Sequence, residues 1–170
     1  MPARQPLPRL WLMTDERLGD RLLGIISRLP EGAGIVFRHY SLAAAERRAL
    51  FDRVKQAALG PVLLASPVEQ ALAWGADGSH GRHWGAISAP AHGLAEIRAA
   101  EAAGASLIFL SPVFATRSHP DAPVLGPATF AALASRTGLP VIALGGMNAA
   151  RAETLSGAYG WAGIDAWASA

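Results

Sequence analysis

Four groups of residues in this chain have types and spacings that do chemistry. Thr116-Arg117-Ser118-His119 gathers two hydroxyls, a guanidinium and an imidazole, a set able to grip a phosphate or pyrophosphate. The same composition equally suits a solvated loop. Gly145-Gly146 closes the apolar run Leu139-Pro140-Val141-Ile142-Ala143-Leu144. Two missing side chains there either let backbone N–H groups approach a ligand or simply make a turn. Arg38 follows the run Gly34-Ile35-Val36-Phe37. An inward arginine needs an anion, and Asp15, Asp165 or a ligand phosphate would serve. His80-x-x-His83, with His92 nearby, offers imidazoles for zinc, but no glutamate stands at metalloprotease spacing. Histidine also suits proton transfer near neutral pH, which singles out His39, His80 and His119.

These groups share a place in the chain: each sits where an apolar run ends. Strands are expected at 10–15, 34–40, 61–66, 78–80, 85–88, 106–111, 139–146 and 159–165. Between them, helical spacing of apolar residues covers 20–29, 42–59, 69–74, 93–103, 127–136 and 149–155, with Asp20 and Ser41 as N-caps. Strictly alternating strands and helices imply a parallel sheet, and eight strand candidates favour a compact (β/α)8 barrel. Its loops are short, its eighth helix is truncated, and a proline-rich arm at 1–9 precedes the single domain at 10–170. In such a barrel the chemistry lies where strands end and loops to helices begin. Asp15, Arg38, His39, Tyr40, His80, Thr116, Gly146 and Asp165 map to that rim, as do all five histidines.

Composition narrows the classes further. The chain has 170 residues, 51% of them hydrophobic, and a formal charge of +2, enough for one real core. It contains no cysteine, which excludes disulfides, thiol catalysis and Cys-ligated zinc. Lys55 is the only lysine; the arginines are scattered, and Glu46-Arg47-Arg48 with Asp52-Arg53 reads as a solvated helix face. No basic run interleaves with aromatics, which argues against nucleic acid, and no apolar run approaches a membrane span. A cytoplasmic protein is expected, and an edge left bare by the short eighth helix would suit a homodimer.

Four blocks, taken together, resemble the thiamine-phosphate synthase and TenI-type superfamily over nearly the whole chain. They are Leu12-Met13-Thr14-Asp15; Ala73-Trp74-Gly75-Ala76-Asp77-Gly78-Ser79-His80; Ser111-Pro112-Val113-Phe114-Ala115-Thr116-Arg117-Ser118-His119 with Leu125-Gly126; and Leu139 to Met147 with Gly157-Ala158 and Gly163-Ile164. The resemblance implies a (β/α)8 barrel that binds a thiazole or thiamine phosphate and joins the thiazole to a pyrimidine pyrophosphate with Mg²⁺. It implies that Gly146 and backbone near Gly163 hold a phosphate, and that Arg38, Thr116 and Ser118 face pyrophosphate. We therefore expect chemistry from Arg38, Thr116, Ser118 and His119. Contacts to a small phosphate ester are expected from His39, Tyr40, His80, Arg117, Gly145, Gly146, Gly163, Ile164 and Asp165.

The departures are specific. Of the family's strand-two "Q-L-R-x-K", only Arg38 survives in Val36-Phe37-Arg38-His39-Tyr40. Ala65-Ser66 replaces the metal-ligating "N-D", and Gly81-Arg82-His83-Trp84 lacks the second metal-ligating aspartate. His119 stands for the lysine of "T-x-T-K", and Pro112 for the histidine of TenI-type tautomerases. No residue set is thus expected to ligate a metal. A non-catalytic phosphate binder or regulator, or a different phosphate-ester enzyme using the histidines, stays open as an alternative.

Overall fold

The computed structural model describes residues 6–117, 121 and 123–168. The strands are short, two to four residues each, and apolar except for β4 and β5: β1 Leu10–Met13, β2 Gly34–Phe37, β3 Val62–Leu64, β4 Gly78–Ser79, β5 Ser88–Ala91, β6 Leu107–Leu110, β7 Val141–Ala143 and β8 Gly160–Gly163. The helices are α1 Leu22–Ile26, α2 Ala44–Ala57, α3 Val68–Ala73, α4 Leu94–Ala102, α5 Gly126–Ala134, α6 Ala149–Glu153 and α7 Asp165–Ala168. The strands are all parallel, in the order β4-β3-β2-β1-β8-β7-β6-β5. A single parallel bridge, His80 opposite Ser88, joins the two edges and nearly closes the barrel. The expected (β/α)8 architecture stands, except that no helix separates β4 from β5.

Alternation along the strands sorts the core. Trp11, Met13, Val36, Leu63, Leu107, Phe109, Ile142 and Ala162 fill the barrel interior. The edge of Trp11 meets Phe109 at 5.4 Å. Gly34 makes room for that indole: a Cβ there would fall inside the contact distance of the Trp11 ring. The opposite strand faces carry Leu12, Ile35, Phe37, Val62 and Leu64 against α1 to α3, and Ile108, Leu110, Val141 and Ala143 against the later helices.

Three boundaries differ from the sequence reading. The fifth strand lies at Ser88–Ala91, three residues beyond the expected 85–88. Its proline argues against a strand on sequence grounds, but β5 is a ladder edge, where a missing N–H is tolerated. Neither expected N-cap is used: Asp15 caps a 3₁₀ segment Glu16–Arg21 that precedes α1 and is broken at Gly19 with φ +49°, and α2 starts after Ala43 rather than Ser41, with no side-chain cap bond. Strand eight ends at Gly163, and Asp165 begins α7. That short helix covers the edge expected to be bare, because Trp167 stacks on Trp161 at 4.8 Å and donates Nε1–H to the Trp11 carbonyl. Among the described residues, no helix is long and apolar enough to cross a membrane.

Candidate functional site

The site begins where β1 ends. Thr14 is fully buried, and its hydroxyl accepts the Arg38 backbone N–H at 2.9 Å. The Arg38 guanidinium folds back on the same turn: Nε donates to the Thr14 carbonyl at 2.8 Å and Nη2 to Asp15 Oδ2 at 3.2 Å. Nη1 has no partner among the described residues. Asp15 Oδ1 accepts from Arg17 through both backbone N–H and Nε, at 3.0 and 2.9 Å. Arg17 Nη1 lies 3.8 Å from Asp165 Oδ1. Arg38, Asp15, Arg17 and Asp165 thus form a row of alternating charge at the C-terminal mouth. Asp15 is the anion that the inward arginine required, and Arg17 balances Asp165.

Burial pushes the Asp15 carboxyl up, but hydrogen bonds from Arg17 and the charges of Arg17 and Arg38 outweigh it and hold the group below its ordinary value. Burial lowers the Arg38 pKa while Asp15 opposes it, and a guanidinium remains charged at any physiological pH. Arg47 corrects the reading of a wholly solvated α2 face. Its Nε and Nη2 donate to the Arg38 carbonyl at 3.1 and 2.9 Å, and Nη2 reaches the Ala65 carbonyl at 2.9 Å. The same guanidinium lies over Trp74, 5.4 Å from the ring centroid. Glu46, Asp52 and Arg53 are exposed as expected, while Arg48 pairs with Asp52 at 3.0 Å and also lies over Trp74.

The histidines do not share one surface. His80 points into the barrel, its ring edge-on to Phe109 and its Nδ1 2.8 Å from Ser88 Oγ. Burial, then the charges of Arg38 and His83, lowers its pKa to about 3. It is therefore neutral at physiological pH. His39 turns the other way, stacked on Phe37 outside the barrel wall with Nδ1 3.0 Å from Thr14 Oγ1. Its φ of +40° is rare for a side-chain-bearing residue. It lines a crevice of about 300 Å³ with Glu16, Asp20, Leu23, Leu50 and Arg53, on the outer side of the wall. That roomier space does not coincide with the mouth, where the charged groups converge. His83 bonds Ser79 Oγ at 2.7 Å, and His92 Nδ1 the Ser111 carbonyl at 2.8 Å. Tyr40 is 67% exposed beneath the Arg47 guanidinium.

The glycine pair has a structural purpose. Gly145 (φ +96°) and Gly146 (φ +61°) let the loop after β6 pack on the end of β7. A Cβ on Gly145 would lie 2.6 Å from Pro112 Cα, and one on Gly146 2.5 Å from the Ala115 carbonyl. Val113 and Phe114 donate backbone N–H groups to the Leu144 and Gly145 carbonyls at 2.9 and 3.1 Å. Thr116 and the exposed Arg117 follow in that loop; Ser118 and His119 lie outside the described residues. Gly163 is less constrained, since a Cβ there would meet Ala166 and Trp161 at an ordinary 3.4 Å. Ile164, partly buried, packs beside it at the top of the interior.

Sequence reasoning missed Thr14, Arg17 and Arg47. The only signal for Thr14 was a hydroxyl at a strand end; the two arginines act through contacts across elements. Divalent cations favour hard oxygen ligands, usually carboxylates. The ends of β3 and β4 offer Ala65-Ser66 and Gly81-Arg82, and both acidic side chains of the charged row already face arginine. Among the described residues, no three His, Asp or Glu side chains surround a common point. The donor set does not fit Mg²⁺.

Comparison with known proteins agrees with the geometry. The profile of the family described as thiamine monophosphate synthase matches residues 82–167. "Putative thiamine-phosphate synthase 2" of Aquifex aeolicus is 32% identical over 183 aligned positions, covering 93% of this chain and 96% of that protein. The thiamine-phosphate synthase of Chloroflexus aurantiacus is 29% identical, with 93% and 84% covered. The solved thiamine phosphate pyrophosphorylase from Pyrococcus furiosus superposes with a TM-score of 0.76 at 23% identity, over 94% of this chain and 86% of that one, which shows the shared fold.

Proposed function

Because the chain belongs to the thiamine monophosphate synthase family, we propose that it serves thiamine biosynthesis in the cytoplasm by binding a thiazole or thiamine phosphate at the barrel mouth. The observation that carries this reading is Arg38. Its guanidinium is fastened from behind through Nε and Nη2, so little side-chain freedom is lost when Nη1 meets a phosphate oxygen. A hydrogen bond between charged groups of this kind contributes about 1.5–3 kcal/mol.

The remaining residues have supporting roles in the proposal. Arg17 is the second guanidinium within the charged row, while Asp15 and Asp165 hold the net charge near zero before ligand arrives. The phosphate contacts expected of Thr116, Arg117, Ser118 and His119, from the loop after β6, and of backbone at Gly146, Gly163 and Ile164 belong to the same reading. His80 is neutral and contributes polarity without charge. His39 and Tyr40 stand outside this arrangement, since one faces the outer crevice and the other solvent.

The joining reaction named for the relatives is a second matter. The missing carboxylates and lysines favour a reading in which the ligand is held without being made. Calorimetric titration tests the binding proposal. Thiamine phosphate should bind with micromolar affinity, about −8 kcal/mol, and unphosphorylated thiamine far more weakly. Equal binding of the two would overturn the phosphate reading, as would no binding of either.

A further inference from the structure

Every carboxylate side chain of the chain lies among the described residues, because the others are Met, Pro, Ala, Arg, Gln, Ser and His. The carboxylates that lie in the row at the mouth are Asp15 and Asp165. Several others are engaged away from the mouth: Asp77 by Lys55, Glu96 by Arg82, Glu101 by Arg98 and Asp52 by Arg48. At the mouth, both oxygens of Asp15 accept from guanidinium groups, Oδ1 from Arg17 and Oδ2 from Arg38. Asp165 faces Arg17. A divalent cation here would compete with Arg17 and Arg38 for the same carboxylates and sit beside both guanidinium charges, an arrangement opposed by Coulomb repulsion.

The strand ends reinforce the point. At the end of β3 the cationic group is Arg47, 2.9 Å from the Ala65 carbonyl. After β4 comes Arg82, held by Glu96 at 2.9 Å. At these two strand ends the chain places guanidinium groups and small neutral residues.

We propose that the mouth takes phosphate as a metal-free anion, held by Arg38 with Arg17 in support, so that affinity is independent of Mg²⁺. This rests on the reading of the mouth as a phosphate site and names how that site recognises its ligand. The preferred ligand class is a phosphate monoester in its free dianionic form, since planar guanidinium groups match phosphate oxygens directly.

The test uses the full chain and two probes, inorganic phosphate and thiamine phosphate, titrated in EDTA and in excess Mg²⁺. The expected result is binding in EDTA with an affinity within about twofold of that in Mg²⁺, and a loss of about tenfold or more in Arg38→Met, matching one charge-assisted hydrogen bond. Arg38→Lys, which keeps the charge but not the fork, should fall between wild type and Arg38→Met. Arg17→Gln should weaken binding by a smaller factor without touching Arg38 directly, and thermal melts confirm that each variant is folded. Tightening of about tenfold or more by Mg²⁺, abolished by Asp15→Asn, would overturn the proposal, as would the absence of any anion binding in EDTA. Arg38-dependent binding in EDTA with no preference for thiamine phosphate over inorganic phosphate would support the metal-free site while refuting the thiamine reading.

Discussion

His80 makes the stability of this barrel depend on pH in a way that can be worked out in advance. In the folded chain its imidazole is enclosed against Phe109 and bonded to Ser88, with a pKa of about 3; unfolded, it returns to 6.5. Between those values the unfolded chain binds a proton that the folded chain refuses, so stability falls as pH drops below 6.5 and stops falling near 3. The slope approaches about 1.4 kcal/mol per pH unit, and the full interval is worth about 5 kcal/mol. Between pH 7 and pH 4.5 the loss is about 2–3 kcal/mol, a large part of the roughly 5–15 kcal/mol that holds a domain together. The perturbation is His80→Asn, whose amide keeps a bond to Ser88 but does not titrate. Urea unfolding of both proteins at the two pH values separates this effect from the lowered carboxyls of Asp15 and Glu16, which are common to both and lose their own stabilisation in acid. The variant should be less stable at pH 7, through its smaller volume, yet lose about 2–3 kcal/mol less on acidification. Equal losses in the two proteins would refute the reasoning, because His80 would then have to be hydrated.

Arg47→Met should destabilise the fold by about 2–3 kcal/mol, since it removes the donors that serve the Arg38 and Ala65 carbonyls. Lysine should not rescue it, and denaturant unfolding reads the difference. Gly146→Val should cost about 1–3 kcal/mol from its left-handed backbone alone, with a further penalty from contact with Ala115 and Phe114. Its midpoint in a thermal melt, and its phosphate affinity, should both fall. Thr14→Val leaves the Arg38 N–H without its acceptor and should cost about 1–3 kcal/mol in the same assay.

Much of the fold is legible in the sequence because most strands are buried on both faces. Runs such as Leu107-Ile108-Phe109-Leu110 have no polar residue to disguise them. Ser88-Ala89-Pro90-Ala91 is small, contains proline and carries little apolar signal; its strand is specified by its neighbours β6 and the end of β4. At the site, the strand-end position of Arg38 and the need for an anion were enough to find it and to name Asp15 among three partners. The histidines show the limit of that logic. All five map to strand ends, but alternation sends Arg38 to the interior side and His39, one residue on, to the outer side against Phe37. Arg17 and Arg47 were not legible because a salt-bridge row and a carbonyl clamp are properties of three elements meeting, and no spacing along one element encodes them.

The central claim is that phosphate sits at the mouth on Arg38. The most direct measurement is a crystal structure of the chain grown with thiamine phosphate. Phosphate density is expected within hydrogen-bond reach of the Arg38 guanidinium, above the ends of β7 and β8. Density for the ligand in the outer crevice beside His39, with the mouth filled only by water, would contradict it.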